Sequence, residues 1–330
     1  MLVLNLFLLA LTSLSYGQHV RDVIQQYVAD PGVELENIAV RSNGNLLLTA
    51  GGLPSIISLV LNPCRSFASE LPPFPNVTSL FGIGEIAPDL FAVAGGVSGR
   101  GIPPTAGSFT VFAINVTTVP ATISIIANIP TAGLLNGLTV IPNRPGQNAT
   151  VLVSDTLAGT IYALNPTTGQ YATAFTSSFT ATNSSLLRPG INGIRYLPRT
   201  KTLYFANTLD QTFGSVKLAC QSSRAGPPVV NAASKPRIIA SGVPVDDFTV
   251  LPDGTAFAAA NPANTVLRIS NRGAVSTVLS GANYTLLKAP TSAAFGRGEE
   301  DRGSLYVTSL GLAFGANGTS PGGGLFELKF

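Results

Sequence analysis

Six polar residues recur along the chain at a spacing that could gather them in one place: Glu36, Glu85, Asn136, Asn192, Asp246 and Thr291. The intervals between them are 49, 51, 56, 54 and 45 residues. Each introduces a short apolar run, a turn and a second apolar run, as in Glu36-Asn-Ile-Ala-Val-Arg-Ser-Asn-Gly-Asn-Leu-Leu-Leu-Thr-Ala50. Carboxylate and amide oxygens clustered on a rigid scaffold suit a hard cation such as Ca²⁺ or Mg²⁺. The same side chains could instead cap turns or bond backbone amides at strand ends.

Other chemistry is missing. His19 is the one histidine, which excludes a His-rich zinc site and leaves a His-dependent triad only if that terminus folds inward. There is no Trp, Cys-x-x-Cys or P-loop. Gly95-Gly96-Val-Ser-Gly99-Arg-Gly101 lacks the dinucleotide spacing and reads as a loop over a channel mouth. A net charge of +3 without a basic cluster suggests neither nucleic acid nor an acidic membrane surface as partner.

The elements that would position the six residues are strands. Short runs rich in Val, Ile, Thr and aromatics alternate with Gly, Pro, Asn and Asp at intervals of roughly ten residues. A repeat near fifty residues indicates a solenoid, a propeller or an array. Four short strands per repeat, six times over, predict an all-β six-bladed β-propeller. Its first strands line a central channel, so the six leading residues should meet near one mouth. The sixth repeat runs out at Phe330 after three strands. Val23–Val28 is expected to supply the fourth, an N-terminal strand that closes the ring and leaves no open edge.

Met1–Gly17 is an apolar run followed by small residues, which predicts a signal peptide over 1–17 and one propeller domain over 18–330. The run is too short to span a bilayer, and no other stretch is long and apolar enough. A secreted or secretory-pathway protein follows. Asn76, Asn115, Asn148, Asn183, Asn283 and Asn317 head Asn-x-Ser/Thr sequons and are the candidate glycan acceptors. Charged residues are only 11% of the chain against 45% apolar, so Ser, Thr, Asn and glycans must keep its surface soluble. Cys64 and Cys220 each lie 28 residues after their leading residue, Glu36 and Asn192. Equivalent places in opposed blades are too far apart for a disulfide, so both are expected as thiols.

The phrases GVELENIAVRSNGNLLLT, INGIRY…LYFAN and VDDFTVLPDGTAF resemble the senescence-marker-protein/gluconolactonase family of six-bladed propellers. That resemblance implies that Glu36, Asn192 and Asp246 hold a divalent cation, Ca²⁺ or another, with Asn136 beside the substrate. Asp247-Phe248 departs from the Gly-Met often found there, and intracellular members lack a signal peptide. A narrower resemblance, in Glu36-Asn37, Asp246-Asp247-Phe248 and GIGEIAPDLFAVAGG, is to secreted-type fungal propellers. Some of those are hetero-Diels–Alderases that join a tropolone-type quinone methide to a sesquiterpene such as humulene, forming a dihydropyran.

Such a pericyclase requires no cofactor and takes small-molecule polyketide and terpene substrates. Asn136, Asn192, Asp246 and Arg195 are then the catalytic candidates, and Glu85, Thr291, Tyr196, Phe248 and Phe295 the substrate-binding ones. Phe81, Phe91 and Asn207 are further pocket candidates. Inter-blade packing is the competing reading for the aromatics, and a salt bridge for Arg195. A cation-dependent lactonase and a non-catalytic binding propeller remain alternatives, and the oligomeric state is open.

Overall fold

The computed structural model describes residues 19–62, 66–99, 102–142, 148–177, 179–180, 190–221, 225–280, 287–311 and 321–330. The expected signal segment, Cys64, Asn183, Asn283, Asn317 and residues 100–101 lie outside them.

Twenty-five strands form six antiparallel sheets among the described residues. After β1 (Asp22–Val28), blade one holds β2 (Glu34–Val40), β3 (Leu46–Gly51), β4 (Ile57–Val60) and β5 (Phe67–Glu70). Blade two holds β6 (Ser79–Ala87), β7 (Leu90–Gly96), β8 (Thr110–Asn115) and β9 (Thr122–Asn128). Blade three holds β10 (Leu135–Ile141), β11 (Thr150–Asp155), β12 (Thr160–Leu164) and β13 (Tyr171–Thr176). Blade four holds β14 (Ile191–Leu197), β15 (Thr202–Asn207), β16 (Thr212–Gln221), β17 (Val229–Ala232) and β18 (Arg237–Ser241). Blade five holds β19 (Val245–Val250), β20 (Ala256–Ala260), β21 (Thr265–Ile269) and β22 (Val275–Ser280). Blade six holds β23 (Pro290–Phe295), β24 (Ser304–Ser309) and β25 (Gly324–Lys329).

Local chemistry sets the hairpins. Between β2 and β3, Gly44 takes φ +84, the Arg41 carbonyl accepts from Gly44 N at 3.0 Å, and Asn43 Oδ1 accepts from Asn45 N at 3.0 Å. Only a residue free of Cβ crowding adopts that φ without strain.

β1 pairs antiparallel with β25 from Asp22↔Lys329 to Val28↔Gly324 and is the fourth strand of blade six, as expected. Gln26 Nε2 donates to Glu327 Oε2 at 2.7 Å, and Ser304 Oγ to Glu327 Oε1 at 2.5 Å, so three strands share one buried carboxylate. Blade four departs from four strands. Its long β16 pairs with β18 along its first half and with β17 along its last, because it runs on past the place where the other third strands stop.

The first strands touch in the ring order β2, β6, β10, β14, β19, β23 and back to β2. Apolar packing lies between neighbouring blades. Phe81, Phe109 and Ala94 of blade two meet Leu138, Val153 and Leu164 of blade three, for example. Leu35, Leu46 and Ile57 of blade one meet Tyr306 and Leu325 of blade six. A blade therefore buries its faces only against its neighbours, and the polar channel is left along the axis. No helix of the described residues is long and apolar enough to cross a membrane.

Candidate functional site

Every first strand carries a β-bulge at the same place. Leu35 pairs with Ala50 and Ile38 with Leu48, so Glu36 and Asn37 stand opposite the single residue Thr49. The same register shift brackets Phe81-Gly82, Asn136-Gly137, Asn192-Gly193, Asp246-Asp247 and Thr291-Ser292. A bulge turns two successive side chains toward the axis, where an ordinary strand would offer one. Gly82, Gly137 and Gly193 are glycines because the next blade is in the way. A Cβ there would overlap the Asn136 carbonyl, the Asn192 carbonyl and the Asp247 carboxyl respectively.

Hydroxyls opposite three bulges tie the ring together. Thr49 Oγ1 donates to the Phe81 carbonyl at 2.5 Å, Ser154 Oγ to the Asn192 carbonyl at 2.7 Å and Thr308 Oγ1 to the Glu36 carbonyl at 3.0 Å. These bonds satisfy carbonyls that a bulge removes from the ladder.

The first residues of five of the six bulges face a cavity of about 350 Å³, within the range of small-molecule sites. Glu36, Phe81, Asn136, Asn192 and Asp246 line it, with Glu34, Asn261, Leu134, Leu157 and Leu310 around them. Ser98, Gly99 and Pro104 of the glycine-rich loop form part of its rim. That loop is tied down: the Ser98 carbonyl accepts from Thr78 Oγ1 at 2.7 Å and from Ser79 Oγ at 2.5 Å.

Asp246 is held by two amides, Asn192 Nδ2 at 2.7 Å on Oδ1 and Asn261 Nδ2 at 3.0 Å on Oδ2. Burial pushes its carboxyl up to about 7; the Asn261 bond opposes this, the Asp247 charge adds to it, and the Asn192 bond again opposes it. Glu36 is still reached by solvent but lies deep in the channel, and its carboxyl is held well above the usual range. Burial is the main cause, followed by the charges of Asp246, Glu34 and Asp247. Asn192 Oδ1 is buried without a hydrogen-bond partner.

That donor set fits a divalent cation. Three carboxyls and an unpartnered amide oxygen share a cavity whose described lining includes no lysine or arginine. Glu36, Asn192 and Asp246 are the residues that would hold it. Among the described residues no three His, Cys, Asp or Glu side chains form a metal group by themselves.

No protein-family profile matches the chain. A protein from Phoma sp. described as "Putative hetero-Diels-Alderase" is 29% identical over 309 residues, covering 84% of this chain and 83% of that one. Among solved structures, the calcium-binding protein regucalcin from Agrobacterium tumefaciens superposes with a TM-score of 0.60 at 18% identity, covering 90% of each chain. A gluconolactonase from Xanthomonas campestris superposes with a TM-score of 0.58 at 14% identity, covering 93% of this chain and 89% of that one. The chain has the regucalcin- and gluconolactonase-like six-bladed propeller fold.

On the far side of the bulges the propeller carries a separate polar network. Asp247 Oδ2 accepts from Arg195 Nη2 at 2.8 Å and from Asn37 Nδ2 at 2.9 Å. Arg195 also donates to Asn37 Oδ1 at 3.1 Å and to the Leu138 carbonyl at 3.3 Å. Ser292 Oγ completes it, donating to Asn37 Oδ1 at 3.1 Å. One guanidinium thus links the first strands of blades one, three, four and five, and Ser292 adds blade six. Burial raises the Asp247 carboxyl, and Arg195 is the chief force opposing that rise.

The propeller therefore gathers Glu36, Asn136, Asn192 and Asp246 as the sequence suggested, but not the rest. Arg195 lies in the network behind the cavity and bonds protein groups. Glu85 sits four residues beyond Phe81 on β6, where its Oε2 meets Arg297 at 2.6 Å. Thr291 occupies the bulge of blade six, but its hydroxyl donates to the Leu35 carbonyl at 2.8 Å and to Thr308 at 3.0 Å. Phe248 is fully buried edge-on against Phe213, with centroids 4.8 Å apart. Phe295 packs on Phe257 at 5.1 Å. Phe91 is core, and Asn207 donates to the Phe179 carbonyl at 3.2 Å. Tyr196 borders a second groove of about 580 Å³ on the side of blades three and four, away from the ring.

Phe81 is the residue that takes the blade-two place in the ring. The signal for it is Leu80-Phe81-Gly82-Ile83, the same apolar–x–Gly–apolar phrase as Leu135–Leu138 and Ile191–Ile194. Glu34 and Asn261 carry no such signal. Of the sequons within the described residues, Asn76 is exposed, Asn115 Oδ1 accepts from Thr117 N at 2.9 Å, and Asn148 lies 3.4 Å from Asn165. Cys220 is at the end of β16, its Sγ 3.8 Å from Thr150 Oγ1.

Proposed function

We propose that this propeller is a hetero-Diels–Alderase that joins a tropolone-type quinone methide to a humulene-like sesquiterpene. The observation that carries the reading is the mixed lining of the cavity, in which the apolar Phe81, Leu134, Leu157 and Leu310 stand together with the acids and amides Glu36, Asn136, Asn192 and Asp246. The sequence relative from Phoma sp. described as "Putative hetero-Diels-Alderase" supports it.

In the reaction the terminal carbon of the heterodiene bonds one alkene carbon while its oxygen bonds the other, closing the dihydropyran ring. No proton is gained or lost and no nucleophile is required. The apolar wall binds the two partners together, and fixing them in a reactive pose removes an entropic barrier on the order of 7 kcal/mol. Charge builds on the heterodiene oxygen as the bonds form. Glu36, whose carboxyl burial keeps protonated more readily than usual, and the Asn136 amide are the donors to that oxygen. Asn192 and Asn261 hold Asp246 and thereby fix the shape of the wall.

The unpartnered Asn192 Oδ1 favours a second reading, a cation-dependent lactonase. A cation held by Glu36, Asn192 and Asp246 would supply Lewis-acid polarisation of a lactone carbonyl. Incubation with a quinone-methide precursor and humulene, beside a panel of lactones and with and without chelator, separates the two. Dihydropyran formed above the uncatalysed background, and insensitive to chelator, is the expected result. Lactone hydrolysis restored by Ca²⁺, with no cycloadduct, would establish the second reading instead.

A further inference from the structure

The six bulge positions are chemically unequal. Five carry oxygen or nitrogen side chains, and blade two carries Phe81. In this ring blade two stands opposite blade five, so Phe81 lies across the cavity from Asp246. Leu134 and Leu157 of blade three continue the apolar surface beside it.

Phe81 is also a rigid surface. Only 6% of the residue is exposed, and its ring is backed by Phe109 at 6.3 Å. Its carbonyl is fixed by Thr49, and Gly82 beside it is pressed against the Asn136 carbonyl. The ring cannot withdraw to make room, nor can it offer a hydrogen bond. A flat conjugated molecule with oxygen at one edge satisfies both walls at once. A polyhydroxylated lactone would leave hydroxyls unpaired against Phe81, Leu134 and Leu157, which is costly in a buried site.

We infer that Phe81 is a specificity-determining residue, which makes the cavity select planar conjugated carbonyl compounds over polyhydroxylated ones. The inference deepens the proposed function and rests on its assignment of this cavity as the substrate site.

The test is binding, read without turnover. Titrate 7-hydroxycoumarin by fluorescence and glucono-δ-lactone by calorimetry against the wild-type protein, Phe81→Asn and Phe81→Leu. The wild type should prefer the coumarin. Phe81→Asn should lower the coumarin-to-gluconolactone affinity ratio by about tenfold or more, as expected when an apolar wall is made polar. Phe81→Leu, which keeps the core apolar should Phe81→Asn not fold, should weaken coumarin binding several-fold without improving gluconolactone binding. A wild type that prefers gluconolactone, or binds neither, overturns the inference, as does unchanged coumarin binding in the folded variants. Neither probe undergoes the cycloaddition. A propeller that selects coumarin through Phe81 yet forms no dihydropyran would refute the proposed reaction and leave this inference standing.

Discussion

Asp246 and Asp247 are consecutive in the chain and serve separate sites. Asp246 lines the cavity, held by Asn192 at 2.7 Å and Asn261 at 3.0 Å. Asp247, beside it in the same bulge, joins the network behind the cavity and takes the Arg195 guanidinium at 2.8 Å. One carboxylate has a cationic partner. The other has only amides, whose hydrogen bonds do not outweigh the burial that holds its carboxyl up.

The network of Arg195, Asp247 and Asn37 should therefore be a structural clamp. Arg195→Met leaves Asp247, 1% exposed, without its cation and should cost about 3–5 kcal/mol in denaturant unfolding. Arg195→Met combined with Asp247→Leu should recover much of that loss, because no buried charge remains unpaired. A single variant within about 1 kcal/mol of wild type would show that the clamp does not hold the ring.

The Asp246 carboxyl moves from 3.8 to about 7 on folding. Between those values the native state binds more protons than the unfolded one, so this group's contribution to stability falls as pH rises through the interval and is flat above it. Asp246→Asn removes the penalty. Without added metal, the variant should be more stable than wild type near about pH 8 by more than about 1 kcal/mol, and the gain should vanish toward about pH 4. Under the cation-dependent reading, excess Ca²⁺ would raise the melting temperature of the wild type and not of Asp246→Asn. Thermal melts across pH would refute the assignment if the two proteins kept a constant difference.

β1 closes the ring and should be needed for it. A chain beginning after Val28 loses the partner of β25 and the Gln26 bond to Glu327, which is only 6% exposed. The bared edge of β25 is then a template for intermolecular pairing. Size-exclusion chromatography should show association and calorimetry a lower melting temperature. A monomeric truncated protein melting with the full chain would contradict this.

Much of the architecture was already written in the sequence because it is local. Strand positions follow from alternating apolar residues and from turns such as Asn43-Gly44, and the count of strands left β1 as the natural partner of blade six. The places of Glu36, Asn136, Asn192 and Asp246 follow from the repeat. Glu85 against Phe81 marks the limit. An acidic residue suggested the blade-two position, whereas the bulge register selected a phenylalanine four residues earlier. That register depends on Gly82 fitting under the Asn136 carbonyl of the next blade, a contact between segments distant in the chain. Arg195 likewise had the chemistry of a substrate donor, and only the folded ring, which brings Asp247, Asn37 and the Leu138 carbonyl to its guanidinium, took it out of the cavity. The weakened acidity of Glu36 and Asp246 was decided last, because a carboxyl's charge depends on how much water and counter-charge the assembled blades leave around it.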